Sequence, residues 1–231
     1  MIKGLLKKDL YNLSSYKASI IIIVLFCGIA IVGTEAINWG PIIICTIVGM
    51  IALSTFNYDE IAKSNKYILA LPTNRKEIVK EKYILAIGAV ILGGILGILL
   101  TIIVANAINY FRPENMINID YESLLTTTIG GMWGVSLIQA IQIPSIYKWG
   151  AEKGRIQMFV LLFALIVIGA GLGFLIAQAN LSIDKTNINV DMEIVNSFIN
   201  KFGIWILIIS TIVMYFVSYK IAYKIYKNKE E

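Results

Sequence analysis

The chain has 231 residues, of which 58% are hydrophobic and only 15% charged, with a formal net charge of +5. A soluble domain of this length has no core large enough to hide so much apolar surface, so the composition excludes an ordinary globular protein and points to lipid as the main solvent. Histidine is absent, which removes the usual zinc ligand and proton relay. The basic residues flank apolar runs, so an anionic leaflet, not nucleic acid, is the partner of the excess charge.

The first turns predict an interfacial helix. Ile2, Leu5, Leu6, Leu10 and Leu13 recur at helical spacing, while Lys3, Lys7, Lys8 and Asn12 lie elsewhere on the wheel. Residues 1–16 therefore read as an elbow lying in the headgroup layer.

A spanning helix needs roughly 20 apolar residues at 1.5 Å each to cross about 30 Å of hydrocarbon. Six stretches qualify: Lys17–Ile37, Pro41–Phe56, Tyr83–Tyr110, Ser123–Ile143, Ile156–Ala179 and Phe202–Tyr219. The expected fold is all-α and polytopic, a single transmembrane domain over residues 1–231. The first run is too long for the apolar region of a signal peptide, and no small-residue cleavage site leads into a hydrophilic domain. Trp39-Gly40-Pro41 gives a tight external turn with Pro41 at a helix start. The span that follows is the shortest and is expected to continue past Phe56. Cys27 and Cys45 both fall inside apolar runs, where small-residue packing is their role.

Between the second and third spans, residues 57–82 form a charged cytosolic loop. It reads as two short helices separated by Leu71-Pro72, because proline disfavours the α conformation at the residue before it. Asp59 and Glu60 open the first, where negative charge suits a helix N-terminus, and Asp59 can pair with Lys63 four residues on. Asn74 and Glu77 have capping-box spacing for the second. Residues 180–201 form a mostly polar external loop, with Met192–Phe202 a candidate short helix.

Orientation follows from lysine and arginine. One set of connections holds Lys3, Lys7, Lys8 and Lys17, then Lys63, Lys66, Arg75, Lys76, Lys80 and Lys82, then Lys148, Lys153 and Arg155, and finally Lys220, Lys224, Lys227 and Lys229. The other set holds only Arg112, Lys185 and Lys201. The positive-inside rule puts the first set, and both termini, in the cytoplasm.

Within the spans, three small-xxx-small pairs (Gly93 and Gly97, Gly130 and Gly134, Gly169 and Gly173) are candidates for close helix approach. Glu35 is the one carboxylate inside a predicted span and sits near its external end, which disfavours ion-coupled transport through a mid-membrane relay. Asn106, Gln139 and Gln142 read either as interhelical hydrogen-bond links or as candidates for a substrate path. Aromatic residues such as Tyr83, Tyr147, Trp149 and Tyr219 fit an interfacial belt.

Several segments carry a family likeness. Lys3-Gly4-Leu5-Leu6-Lys7-Lys8-Asp9-Leu10 resembles the N-terminal elbow of type-2 ABC-transporter permeases. Ser54-Thr55-Phe56-Asn57-Tyr58-Asp59-Glu60 and Leu69-Ala70-Leu71-Pro72-Thr73-Asn74-Arg75-Lys76-Glu77-Ile78-Val79, running into Lys82-Tyr83, are similar to the segment after their second span. The likeness is specific over the first third of the chain and rests on span number and loop placement beyond it. The nearest branch is the small six-span bacterial permeases, including membrane subunits of phenol-soluble-modulin and antimicrobial-peptide exporters.

The resemblance implies two permease copies, as a homodimer, paired with two ATPase subunits. It makes residues 57–82 a coupling helix, with Asp59, Glu60, Lys63, Lys66 and Tyr67 docking the ATPase. ATP and magnesium belong to that partner, since no G-x-x-x-x-G-K-[ST] occurs in this chain. The expected function is a non-catalytic permease subunit in a bacterial cytoplasmic membrane, exporting an amphipathic or hydrophobic substrate such as a cytolytic or antimicrobial peptide, or a lipid. Two rivals stand beside it. An intramembrane protease lacks an evident serine–lysine pair or metal ligand set, and a stand-alone immunity or sensor protein would work without ATP.

Overall fold

The structure, a computed structural model, describes residues 2–14, 37–62, 74–111, 119–154 and 192–228, with isolated helical positions between 18 and 22 and between 156 and 171. Helix α1 covers Ile2–Ser14, and a 3-10 turn at Ile37–Trp39 leads into α2, Gly40–Ile61. Helices α3, Arg75–Phe111, α4, Tyr121–Trp149, and α5, Met192–Lys227, follow. Within the described residues four helices are long and apolar enough to cross a membrane: α2, α3, α4 and the Phe202–Lys227 part of α5. The predicted spans Lys17–Ile37 and Ile156–Ala179 lie largely outside the described residues, as do Cys27, the Gly169–Gly173 pair and residues 180–191; Met192–Phe202, expected as a short helix within the loop 180–201, is instead the first part of α5, which runs unbroken to Lys227.

Local signals set most helix ends. Pro41 lies in the first turn of α2, where its missing N–H costs nothing. Asp120 caps α4 by accepting from the Glu122 backbone N–H at 3.1 Å. Asn74 caps α3 as expected, but its Oδ1 takes the Lys76 N–H at 3.4 Å while its carbonyl takes the Glu77 N–H at 2.8 Å.

Two expectations for residues 57–82 need correction. Asp59 and Glu60 do not open a helix; they sit in the last turn of α2, which runs unbroken to Ile61. The stretch from Arg75 to Lys82 is the base of α3, not a separate short helix. Nothing between Arg75 and Tyr83 breaks a helix, so it propagates straight into the span.

The four long helices share one well-packed end. The last turns of α2, the base of α3 and the C-terminal turns of α4 and α5 meet there in a core that includes Leu53, Phe56, Val79, Tyr83, Ile143 and Tyr226. Leu5 of α1 joins the same core. At the opposite end, Asn38 Nδ2 donates to Ser123 Oγ at 3.3 Å.

Small residues let α2 and α3 approach. A Cβ on Gly93 would lie 3.0 Å from the Cα of Cys45, and one on Gly97 would lie 2.8 Å from the Cα of Pro41. This pair is a true packing face. By contrast, Gly130 and Gly134 have no described neighbour within 4 Å of such a Cβ; Gly131 is the α4 glycine pressed against α2, at Ile42.

Polar groups close relays across the bundle. Pro144 lies inside α4 and cannot donate to the carbonyl of Ala140, four residues back. The Ser218 hydroxyl of α5 donates to that carbonyl at 2.6 Å, and the Tyr83 hydroxyl of α3 meets Ser218 Oγ at 2.5 Å. Since the single hydroxyl hydrogen of Ser218 is committed to Ala140, Tyr83 is the donor to Ser218. In the hydrocarbon a freed carbonyl needs a protein partner, and the Ser218 hydroxyl supplies it here.

Replacing Gly97 with leucine is expected to destabilise the protein by about 1–3 kcal/mol or more, because the clash is with backbone. Gly130→Ala, at an open position, should be neutral or stabilising by up to about 1 kcal/mol. Thermal unfolding in detergent of the two variants beside the parent checks both.

Candidate functional site: an ion-paired hub

The hub forms where α1 crosses the base of the bundle. Lys82 of α3 is 4% exposed, and its ammonium lies 2.5 Å from Asp9 Oδ2 and 2.5 Å from Asp59 Oδ2. Lys8 reaches the other oxygen of each acid: Asp59 Oδ1 at 2.6 Å, and Asp9 Oδ1 at 3.1 Å as an ionic contact. Two cations and two anions thus alternate in a closed square drawn from α1, α2 and α3. Lys82 also donates to Thr55 Oγ1 at 3.3 Å and lies over the Phe56 ring, 5.0 Å from its centre.

The helix register builds this arrangement. In α1, Leu5 and Asp9 are one turn apart and both buried, while Leu10 is exposed. The face that α1 presents to the bundle is therefore the Leu5–Asp9 edge. In α3, Ile78, Lys82 and Leu85 share a buried stripe, so Lys82 must enter the protein and needs its charge answered there. Glu81 adds a third buried carboxyl, 2% exposed, in the field of Lys82 and Asp9.

Outside the spans, Lys8 shows the effect of this field. Burial pushes its ammonium down, but the hydrogen bond and charge of Asp59, helped by Asp9, outweigh that and hold it above its ordinary 10.5.

Two further clasps flank the square. Arg75, the first residue of α3, donates through Nη1 to the carbonyls of Tyr226 at 3.0 Å and Lys227 at 3.1 Å, and its guanidinium lies over the Tyr226 ring. A cation on the last carbonyls of α5 suits the negative end of that helix. Glu60 Oε2 accepts the backbone N–H of Ala151 at 2.6 Å. The chain restarts as helix at Ala151 after Gly150, which holds φ +88 and whose Cβ position lies 3.0 Å from Glu60 Oε1. Glycine is required here for that φ, and a Cβ would also press on the Glu60 carboxylate.

The sequence-predicted site residues fare differently. Asp59 is largely buried and bonded to Lys8 and Lys82, while its expected partner Lys63 lies outside the described residues. Glu60 is exposed as a residue yet spends one oxygen on Ala151. Lys63, Lys66 and Tyr67 lie outside the described residues. Of the path candidates, Gln139 is fully buried, donates to the Gly49 carbonyl at 2.9 Å and accepts from the Tyr215 hydroxyl at 2.7 Å. It is an interhelical link joining α2, α4 and α5. Gln142 is 4% exposed, and its Oε1 has no hydrogen-bond partner among the described residues. Asn106 lies apart from both, exposed on α3.

Sequence reasoning missed Asp9, Lys82 and Arg75. A signal existed for the first: Asp9 is the only acid before Glu35, and it sits in register with Leu5 and Leu13. A carboxylate in an apolar stripe demands a cation, but nothing local names the cation 73 residues away.

A bundle of lipid-exposed helices, locked at its lysine-rich end by ion pairs, defines a multi-pass membrane protein. A family model described as ABC-2 family transporter protein matches residues 4–227, and the chain belongs to that family. It is therefore a membrane component of a transporter. Comparison with curated proteins and with solved structures gave no match.

Replacing Lys82 by methionine leaves Asp9 and Asp59 to share the half-exposed Lys8 alone and is expected to cost about 3–5 kcal/mol, whereas a D9N/D59N/K82M triple variant should recover a large part of this loss. Thermal unfolding in detergent compares them. The contribution of Lys8 is complete below pH 10.5 and is lost as pH climbs through its raised folded value. A spin label at Ser14 should therefore gain mobility as pH climbs through that raised value.

Proposed function

We propose that this chain is the permease subunit of an ATP-driven exporter in a bacterial cytoplasmic membrane, working as two copies with two separate ATPase subunits. The observation that carries the reading, beside the family, is the hub. Ala62 ends α2 and Asn74 precedes α3, and both helices are tied to each other and to α1 by the Lys82–Asp59–Asp9 contacts. The connecting segment therefore springs from a rigid base. A push on residues 63–73 from the cytosol is passed to α1, α2 and α3 together, as a lever needs if helix packing is to switch between two arrangements.

Lys63, Lys66 and Tyr67 are the docking residues in this reading. Asp59 and Glu60 serve by holding the base. ATP and magnesium remain with the ATPase.

Two features support six crossings with both termini in the cytoplasm. Helix α1 lies at the hub end, while α2 starts at the other end beside Ser123, which accords with a crossing between them. Helices α4 and α5 both finish at the hub end, as the Phe56–Tyr147 and Tyr147–Tyr226 ring contacts record, which accords with a further crossing between them. Ile156, Phe159, Val160, Phe163 and Val167 are exposed apolar side chains at helical positions there. Lysines crowd the hub end, which the positive-inside rule places in the cytoplasm.

The spans expose isoleucine, leucine and valine and carry no charge along their middles. Such walls favour an amphipathic or hydrophobic substrate, a cytolytic or antimicrobial peptide or a lipid, over a hydrated ion.

Co-expression with a candidate ABC ATPase from the same genome tests the reading. The parent chain should co-purify with that ATPase. Lys66→Ala with Tyr67→Ala should reduce retention at least tenfold, a loss of about 1.4 kcal/mol, with the melting temperature unchanged. Full retention in the double variant refutes the docking assignment. Failure of the parent to bind, with function intact, favours a stand-alone immunity or sensor role.

A further inference from the structure

A groove runs along the membrane-facing side of α3, α4 and α5, with a volume of about 810 Å³. That lies within the roughly 300–1,000 Å³ range of sites that hold small molecules. One helical stripe of α3 forms a wall: Lys76, Lys80, Tyr83, Ile87 and Ile91, spaced by three or four residues. Leu207, Thr211, Tyr215 and Tyr219 of α5 face it, and Met132 and Trp133 of α4 form the floor.

Charge is confined to one mouth. Lys76 and Lys80 are exposed, one helical turn apart, and neither has an acidic partner among the described residues. Beyond them the lining is nearly all apolar. Its polar groups are already engaged: the Tyr83 hydroxyl with Ser218, the Tyr215 hydroxyl with Gln139, and the Trp133 indole N–H with Ser210 Oγ at 2.9 Å.

The length is informative. From Lys80 to Ile91 is eleven residues, about 17 Å at 1.5 Å per residue. That is close to half of the roughly 30 Å hydrocarbon layer. The groove thus runs from one membrane surface to the midplane.

We infer that this groove is a binding site for an anionic lipid of the leaflet that Lys76 and Lys80 face, its acyl chain along the α3–α5 cleft and its phosphate between the two ammonium groups. The apolar walls match a chain one leaflet long, and the unpaired lysines match a headgroup that carries negative charge. A cationic amphiphile would meet repulsion at the same mouth. The inference stands apart from the exporter reading, since it needs neither an ATPase nor a direction of transport.

Trp133 on the floor supplies the readout. A protein retaining only that tryptophan, with Trp39, Trp149 and Trp205 replaced by phenylalanine, is reconstituted in phosphatidylcholine vesicles. A minor fraction of the lipid carries brominated chains, either on phosphatidylglycerol or on phosphatidylcholine. Quenching should show about fivefold to tenfold enrichment of the anionic lipid. High salt should weaken that preference, and Lys76→Gln with Lys80→Gln should abolish it while leaving weak, headgroup-independent quenching. If the double variant does not fold, the lipid preference and salt response of the single-tryptophan protein decide alone. Equal quenching by the two lipids overturns the inference, since ordinary bulk lipid then fills the groove. Absence of quenching by either overturns it too, because a second copy or another segment of the chain then covers the floor.

Discussion

Burying Lys82 at the foot of a membrane helix is the constraint on which the structure turns. A lone ammonium there would be untenable, and two carboxylates beside it would be equally so without a second cation. Lys8 and Lys82 between Asp9 and Asp59 solve both problems in one closed square. The acids come from residues 9 and 59 and the cations from 8 and 82, so the square forms only when α1, α2 and α3 are all in place. A buried ion cluster is weak evidence for net stability, and breaking one by removing a partner is what costs most. Here the square defines the angle at which α1 meets the bundle and joins the ends of α2 and α3 into one body.

The same logic extends into the membrane with neutral groups. Pro144 leaves the Ala140 carbonyl without its helical donor, and Ser218 supplies one, itself braced by Tyr83. Gln139 spans from the Gly49 carbonyl to the Tyr215 hydroxyl. Each link crosses between helices, because in hydrocarbon a polar group has only protein to bond with. Ion pairs at the lysine-rich end and hydrogen bonds through the spans thus fasten the helices where apolar packing alone discriminates poorly among registers. The outer faces stay apolar, and in the groove above Trp133 exposed cations and an apolar cleft coincide.

Some of this was legible beforehand, residue by residue. Pro41 after Trp39-Gly40 marked the start of α2, and Asn74 marked the start of α3. Gly93 and Gly97 announced a close approach, and the structure brings them against Cys45 and Pro41. The helix position of Asp59 and Glu60 was misjudged, because acids suit a helix N-terminus locally, yet here they end α2. Their cost at the wrong pole is offset by Lys8, Lys82 and the Ala151 N–H, all remote in sequence. Gly130 and Gly134 have the spacing of a packing face, whereas Gly131 does the packing; the spacing says nothing about which side of the helix meets a neighbour.

The sequence by itself determined what depends on solvent and on neighbours along the chain: an all-α chain dissolved in lipid, the starts of α2 and α3, and the segregation of lysine toward one membrane face. Those follow from hydropathy, capping and proline geometry, which act over a few residues. Only the tertiary structure decided which charges pair, that Gln139 is a link, and that Lys76 and Lys80 open onto an apolar cleft. Such choices rest on helix rotation and on contacts between residues 50 to 150 positions apart, and hydropathy carries no information about rotation when a helix is apolar on every side.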